Sequence, residues 1–399
     1  MTRVRWAVMG VFVLSSSLNY LDRQILPALA PALMAEFGMT NADYGFILAA
    51  FSIPYALSAP LAGMFIDRVG LNRGVRAAVA LWSIAGIATA FARGAVSLAA
   101  CRAALGIGQA GGVPASGKAI ATYLKPDERA LGNALSQLGM GLGGMLAPPL
   151  AIWLALQYGW RSAFVVTGVA GLLWLPLWSR TSRLVPVAGG GAARAAANSR
   201  DLLRDRRLWA FVAAIMLSMT VYSLWTNWVT VFLQREYGLA LADTKWYAAL
   251  PPLFFNAGGL VGGALSLAWM RRGAKAFPAR LRVCVLSAVA LVATAGVPWA
   301  PSAGIATAAI CFSAFWSSAL SVNLYTMPLD LYGPARAAFA VSMLTAGYGV
   351  MQAAFSPAAG RLIDTYGFAP VCGAVGLLPL AACAILMRVA REKSVEAGA

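Results

Sequence analysis

Histidine is absent from this 399-residue chain. That excludes imidazole proton relays and His-based metal centres. Cysteine is sparse. The five, at positions 101, 284, 311, 372 and 383, lie in apolar runs without motif spacing and read as small hydrophobic residues. Charge is scarce, at 11% of residues, and acid is scarcer than base, with 14 Asp and Glu against 31 Lys and Arg. No nucleophile–base pair and no metal-ligand set supports an enzyme, and nothing points to a cofactor. Outside the apolar runs no stretch is long enough for a separate soluble domain, which argues against a transport-dead sensor.

What the chain has instead is hydrophobic sequence: 60% of residues, with a mean hydropathy of +0.72. About twelve apolar stretches reach membrane-spanning length, roughly 20 residues each. They run over 6–34, 43–66, 76–96, 98–123, 130–157, 161–179, 207–234, 244–269, 282–300, 303–328, 335–359 and 368–388. The net charge of +17 follows their topology. With a cytoplasmic N-terminus, Arg93, Arg161, Arg235, Lys245 and Arg361 fall outside, Arg23 and Arg102 fall within the membrane, and every other base is cytoplasmic. This positive-inside pattern predicts an even number of helices with both ends cytoplasmic. The basic excess therefore answers to an anionic lipid bilayer and not to nucleic acid. Arg3, Arg5 and the apolar run after them have the look of a signal peptide. The charged pair inside that run, and the repeat described next, argue for a retained first helix.

The two halves repeat weakly. Glu36-Phe37-Gly38-Met39-Thr40-Asn41-Ala42-Asp43 returns 200 positions later as Glu236-Tyr237-Gly238-Leu239-Ala240-Leu241-Ala242-Asp243. Pro149…Tyr158-Gly159-Trp160 returns at an offset of 208 as Pro357…Tyr366-Gly367-Phe368. The predicted architecture is an all-α membrane protein of twelve helices in two pseudo-symmetric bundles, 1–180 and 207–399, joined by a basic, Gly- and Ala-rich cytoplasmic linker over 181–206. In this plan one bundle rocks against the other.

Asp22 and Arg23 stand together inside the first apolar run. Each costs at least ~2.5–3.5 kcal/mol at a helix centre, so a buried functional site is the default reading. Ser16, Asn19, Tyr20 and Arg23 recur at helical spacing beside Asp22 and form a polar stripe. Arg102, the second buried cation, suits bidentate capture of a carboxylate or a pairing with Asp22. Gln109 and Ser116 follow Arg102 at spacings of seven and share its face. Tyr55 and Gln137 extend the polar surface. Asp22 is the one acid in a helix centre.

Gly106-Ile107-Gly108-Gln109-Ala110-Gly111 matches a dinucleotide-binding pattern, but no strand precedes it, and close helix packing explains its small residues better. The second half places no acid or base at a helix centre. It offers Tyr222, Trp225, Trp316, Asn227, Asn256, Asn323, Tyr348 and Gln352, a set suited to a polyhydroxylated ligand.

The run Gly63-Met64-Phe65-Ile66-Asp67-Arg68-Val69-Gly70-Leu71-Asn72-Arg73 resembles the signature loop of major facilitator transporters. There Gly63, Asp67, Arg68, Gly70 and Arg73, together with Arg129, are expected to form a conformational gate. Its counterpart in the second half is degenerate, with Gly263 kept and Leu267 in place of the acid. Further motifs, Asn19-Tyr20-Leu21-Asp22-Arg23-Gln24, Arg102…Gln109-Ala110…Pro114, Lys118-Ala119 and Asp127-Glu128-Arg129-Ala130, resemble the anion:cation symporter family. Ala147-Pro148-Pro149…Tyr158-Gly159-Trp160…Phe164-Val165-Val166-Thr167-Gly168 is most similar to its bacterial hexuronate branch. The resemblance implies import of a sugar acid or small monocarboxylate with protons, Tyr20, Arg23, Tyr55 and Arg102 serving the substrate and Asp22 the proton. Family members usually carry Glu where Gln109 stands, and often an acid near Asn256. The amides leave coupling through Asp22 alone, a uniporter or exchanger, or a substituted Gln109 as alternatives; an exporter of drugs or metabolites is a further one, against which two buried Arg argue. A monomer in a bacterial inner membrane is expected.

Overall fold

The computed structural model describes residues 2–125, 128–185 and 199–396. Most of the linker, 186–198, and Asp127 of the motif above lie outside the described residues. Among the described residues the chain is helical, and ten helical spans are long and apolar enough to cross a membrane. Two compact units form. One comprises Met1–Ala193 with Leu233–Ala249, the other Arg194–Phe232 with Leu250–Ala399.

The first unit contains α1 (Thr2–Phe37), α2 (Asn41–Val69), α3 (Leu71–Thr89), α4 (Ala95–Gln109), α5 (Gly112–Tyr123), α6 (Arg129–Tyr158) and α7 (Trp160–Thr181). α1 packs along α6, α2 along α4, and α3 along α7. Apolar contacts drive little of this in a lipid solvent, so close backbone approach matters more. Gly143 lets α6 meet α1: a Cβ there would strike the Ser17 carbonyl. Gly106 lets α4 meet α2, where a Cβ would strike the Phe51 carbonyl, and Gly108 lets it meet α3, where a Cβ would come within 2.8 Å of Trp82 N. The glycine pattern of this helix is thus a packing pattern.

The second unit holds α8 (Arg206–Ser218), α9 (Thr220–Tyr237) up to Phe232, α10 (Leu241–Arg271) from Leu250, α11 (Ala276–Leu291), α12 (Ala303–Tyr366) and α13 (Phe368–Glu396). α8 packs on α12 and α13, and α11 on the same two. Gly258 and Gly262 allow α10 to approach α12, since a Cβ on either would run into the backbone of Phe315 or Ala319.

The sequence repeat is a repeat of backbone shape. Gly38 and Gly238 have φ of 60° and 63°, and Gly159 and Gly367 have 82° and 75°, values that favour glycine. The next helix begins immediately after Gly159 and Gly367, and three residues on from Gly38 and Gly238. At α2, Thr40 Oγ1 accepts from Asp43 N at 3.1 Å while Asp43 Oδ2 accepts from Thr40 N at 2.9 Å, a reciprocal cap.

Several boundaries differ from the expected spans, the seventh of which is divided at Met219 between α8 and α9. The fourth stretch is two helices, broken at Ala110–Gly111, because Pro114 brings no N–H to that turn. Ser116 consequently lies on α5, beyond the break from Arg102 and Gln109. The ninth stretch ends in 3₁₀ geometry over Val292–Trp299. The tenth and eleventh are one unbroken helical run, α12. Gly143→Ala should lower stability by about 1–3 kcal/mol through the α1–α6 clash, read as a reduced melting temperature in detergent; an unchanged melting temperature would contradict this packing.

Candidate functional site

Within the first unit, α1 carries Asn19, Tyr20, Asp22 and Arg23 onto the faces of α2, α4 and α7. Asp22 is 3% exposed, and neither carboxylate oxygen has a hydrogen-bond partner. Thr167 of α7 and Arg102 of α4 are the groups that act on it. The Thr167 hydroxyl donates to the Ala163 carbonyl at 3.1 Å. Arg102 is 2% exposed, and its Nε and Nη1 have no acceptor. The direct Asp22–Arg pair expected of an empty carrier is not formed.

The reason lies in what holds the two guanidiniums. Arg23 donates from Nε to Gln109 Oε1 at 3.1 Å. Its Cζ stands 5.1 Å from the Tyr20 ring centroid, 4.9 Å from that of Phe51 and 4.9 Å from that of Tyr55. Arg102 Cζ lies 5.1 Å from the same Phe51 ring. Phe51 and Tyr55 stack, with centroids 5.6 Å apart. A cation over a ring gains about 0.5–2 kcal/mol, more as water is removed. One aromatic face thus steadies both cations without neutralising either. Gln109 closes the ring of contacts by donating from Nε2 to the Asn19 carbonyl at 3.1 Å. The Asn19 amide nitrogen is buried without an acceptor.

The expected residues Asn19, Tyr20, Asp22, Arg23, Tyr55, Arg102 and Gln109 therefore converge in one unit. Gln137, on α6, is exposed. Phe51 was missed, although its position four residues before Tyr55 places both on one face of α2. In the second unit Tyr222 and Tyr348 come together, centroids 6.2 Å apart, with Phe255 4.6 Å from Tyr222. Asn227 and Asn256 donate back to the Ser223 and Pro252 carbonyls, each at 2.8 Å. Asn323 is fully buried and donates to the Ala319 and Gly262 carbonyls at 2.9 and 3.0 Å, which ties α12 to α10. Gln352 is 9% exposed.

In the signature loop, Gly70 has φ 87° and makes the turn. Asp67 Oδ1 meets Lys118 Nζ at 2.7 Å, and the same ammonium donates to the Ile66 carbonyl at 3.1 Å. The partner is a lysine of α5. Gly63 sits against Pro114, Arg68 and Arg73 are exposed, and Arg129 donates to the Ala121 carbonyl at 3.4 Å.

Sequence reasoning also missed a half-buried ion pair in the second unit: Arg280 Nε to Asp330 Oδ2 at 2.7 Å, both side chains 16% exposed. Arg280 stands 208 positions after Asn72, whose Oδ1 accepts from the Tyr123 hydroxyl at 3.0 Å. Asp330 follows Tyr123 at nearly the same offset. The same two helices are tied by a neutral bond in one half and an ion pair in the other, where the signature acid is missing.

The sequence model of the Major Facilitator Superfamily matches residues 12–344. The chain belongs to this superfamily. It is 26% identical to the hexuronate transporter of Escherichia coli K12 over 98% of this chain and 95% of that protein. It is 28% identical to the galacturonate transporter of Dickeya chrysanthemi over 67% of this chain and 83% of that one. The fold matches a bacterial homologue of the human lysosomal transporter Spinster, inward-facing and occupied, with TM-score 0.76, 20% identity and 97% of each chain covered. The chain is a multi-pass membrane transporter, not an enzyme.

Removing one partner of the superfamily member's Arg280–Asp330 pair should destabilise by about 3 kcal/mol, while the double variant Arg280→Leu, Asp330→Leu should recover most of that loss. A melting-temperature cycle checks this; additive losses would contradict a coupled pair.

Proposed function

We propose that this transporter imports an organic anion, a hexuronate, an aldonate or a small monocarboxylate, across a bacterial inner membrane with both termini cytoplasmic, and that protons drive it by alternating access. The observation that carries this reading is the pair of buried, unsatisfied groups in the first unit. Arg102 keeps two N–H positions without an acceptor, and Asp22 keeps both oxygens without a donor. A buried polar group without a protein partner calls for one from a ligand or from ordered water.

Arg102 receives the substrate carboxylate in a charge-assisted bond. Arg23, held on Tyr20, Phe51 and Tyr55, adds positive potential without being consumed by the contact. Asp22 takes the proton. An ionised Asp22 opposes the incoming carboxylate and competes for Arg102, so protonation and anion binding favour each other. In the second unit Asn323 is a helix tie, and the amides of Asn227 and Asn256 donate to carbonyls of their own helices. Gly63, Asp67, Gly70 and Lys118 govern conformation, with Arg68, Arg73 and Arg129 at the cytoplasmic surface.

The test is a panel of hexuronates, aldonates and small monocarboxylates offered to the purified transporter in proteoliposomes. Arg102→Ala should weaken binding of the transported anion at least about 100-fold, from loss of roughly 3 kcal/mol or more. Arg102→Lys should restore little, because the planar fork is gone. Unchanged affinity in Arg102→Ala would remove the anion-site assignment. Asp22→Asn should retain binding and equilibrative exchange yet lose accumulation driven by a pH gradient. Uphill uptake by that variant under a pH gradient alone would overturn the coupling.

A further inference from the structure

Gln109 is 1% exposed, and its amide is used in opposite senses at its two ends. Oε1 accepts from the Arg23 guanidinium and Nε2 donates to the Asn19 carbonyl, each at 3.1 Å. A carboxylate in this place would only accept. It would suit Arg23 but turn a lone pair toward the carbonyl oxygen, and would match both neighbours only with a proton on the second oxygen. The amide therefore keeps at every pH an arrangement that an acid would keep only when protonated. Arg23 stays bound to α4 and seated on its three rings whatever the proton concentration.

Asp22 has the opposite character. Neither oxygen has a hydrogen bond of ordinary geometry, although the Thr167 hydroxyl faces the carboxylate. The groups facing it are Arg102 from α4 and Thr167 from α7, with Arg23 beside it on α1. Tyr44 of α2 and Cys101 act on Arg102 in turn. Lys118 and Tyr123 of α5 are taken by Asp67 and Asn72, and α6 carries its charged or phenolic residues, Arg129 and Tyr158, only at its ends. The remaining described acids of the first unit, Glu36, Asp43, Asp67, Glu128, Glu236 and Asp243, stand at helix ends or in connections.

We propose, resting on the anion-import reading, that Gln109 is a positioning residue that removes a second titration from the site, so that each cycle carries one proton on Asp22 with one carboxylate on Arg102. On the loading side the Asp22 carboxylate gains a proton and becomes a carboxylic acid, adding one positive charge. The substrate carboxylate adds one negative charge against Arg102. Both leave on the other side, and the two guanidiniums stay cationic throughout. Import of a monoanion then moves no net charge, and a membrane potential neither drives nor opposes it.

Two arms test this on the full chain in bilayers. The first needs no substrate: infrared difference spectra between acid and alkaline pH, read in the band of buried protonated carboxyls. The wild type should show one such band, lost in Asp22→Asn, and Gln109→Glu should add a second. A buried-carboxyl band that survives Asp22→Asn overturns the proposal, as does a Gln109→Glu protein with the wild-type spectrum and pH profile. The second arm uses D-galacturonate in proteoliposomes. Wild-type uptake should follow a pH gradient, with about tenfold accumulation per tenfold proton gradient, and should ignore a valinomycin-clamped potassium potential. Gln109→Glu should steepen the pH dependence and make uptake respond to that potential. Wild-type uptake driven by the potential at equal pH overturns the proposal. A wild type that moves no sugar acid defeats the import reading instead, and the infrared arm still decides the single-proton claim.

Discussion

A charge inside a membrane protein must be compensated, and the first unit compensates its two guanidiniums without neutralising them. Ionic pairing would have been the simplest solution, with Asp22 beside Arg23 in sequence and Arg102 near in space. The fold takes another route. Phe51 lies under both cations, Tyr20 and Tyr55 flank Arg23, and Gln109 supplies a neutral acceptor. Asp22 is left buried and unbonded. Everything proposed for the site depends on this arrangement. Arg102 is steadied but not satisfied, so a carboxylate has something to bind. Asp22 is desolvated but not paired, so a proton has somewhere to go.

The arrangement rests on glycines. Gly106 brings α4 close enough to α2 for Arg102 and Phe51 to share a face, and Gly143 brings α6 onto α1. The break after Gln109, set by Pro114, ends α4 where its side chain reaches the Asn19 carbonyl. Small residues at these crossings place the polar ring, and larger ones would move the helices that carry it.

Much of this was legible in the sequence. Hydropathy and basic-residue distribution set the membrane class, and a repeated turn around Gly38 and Gly238 disclosed the internal symmetry. Asp22, Arg23 and Arg102 stood out because charge in an apolar run is costly. What was not legible was pairing. Nothing in the residue order says that Arg23 bonds Gln109 in preference to Asp22, or that Phe51, ordinary in composition, serves both cations. Lys118 was visible as a residue but not as the partner of Asp67, because a salt bridge between α2 and α5 is a tertiary fact. The Arg280–Asp330 tie escaped for the same reason: each residue lies just outside an expected apolar stretch, where charge is unremarkable, and only the fold brings them to 2.7 Å.

The central claim is that the anion on Arg102 and the proton on Asp22 are linked. The most direct measurement is proton uptake on binding, read as the pH change when a transported sugar acid is added to the purified protein in weak buffer. The account predicts that the wild type takes up protons in step with ligand bound, and that Asp22→Asn binds the ligand without proton uptake. Binding by the wild type with no proton uptake, or undiminished uptake in Asp22→Asn, would contradict it.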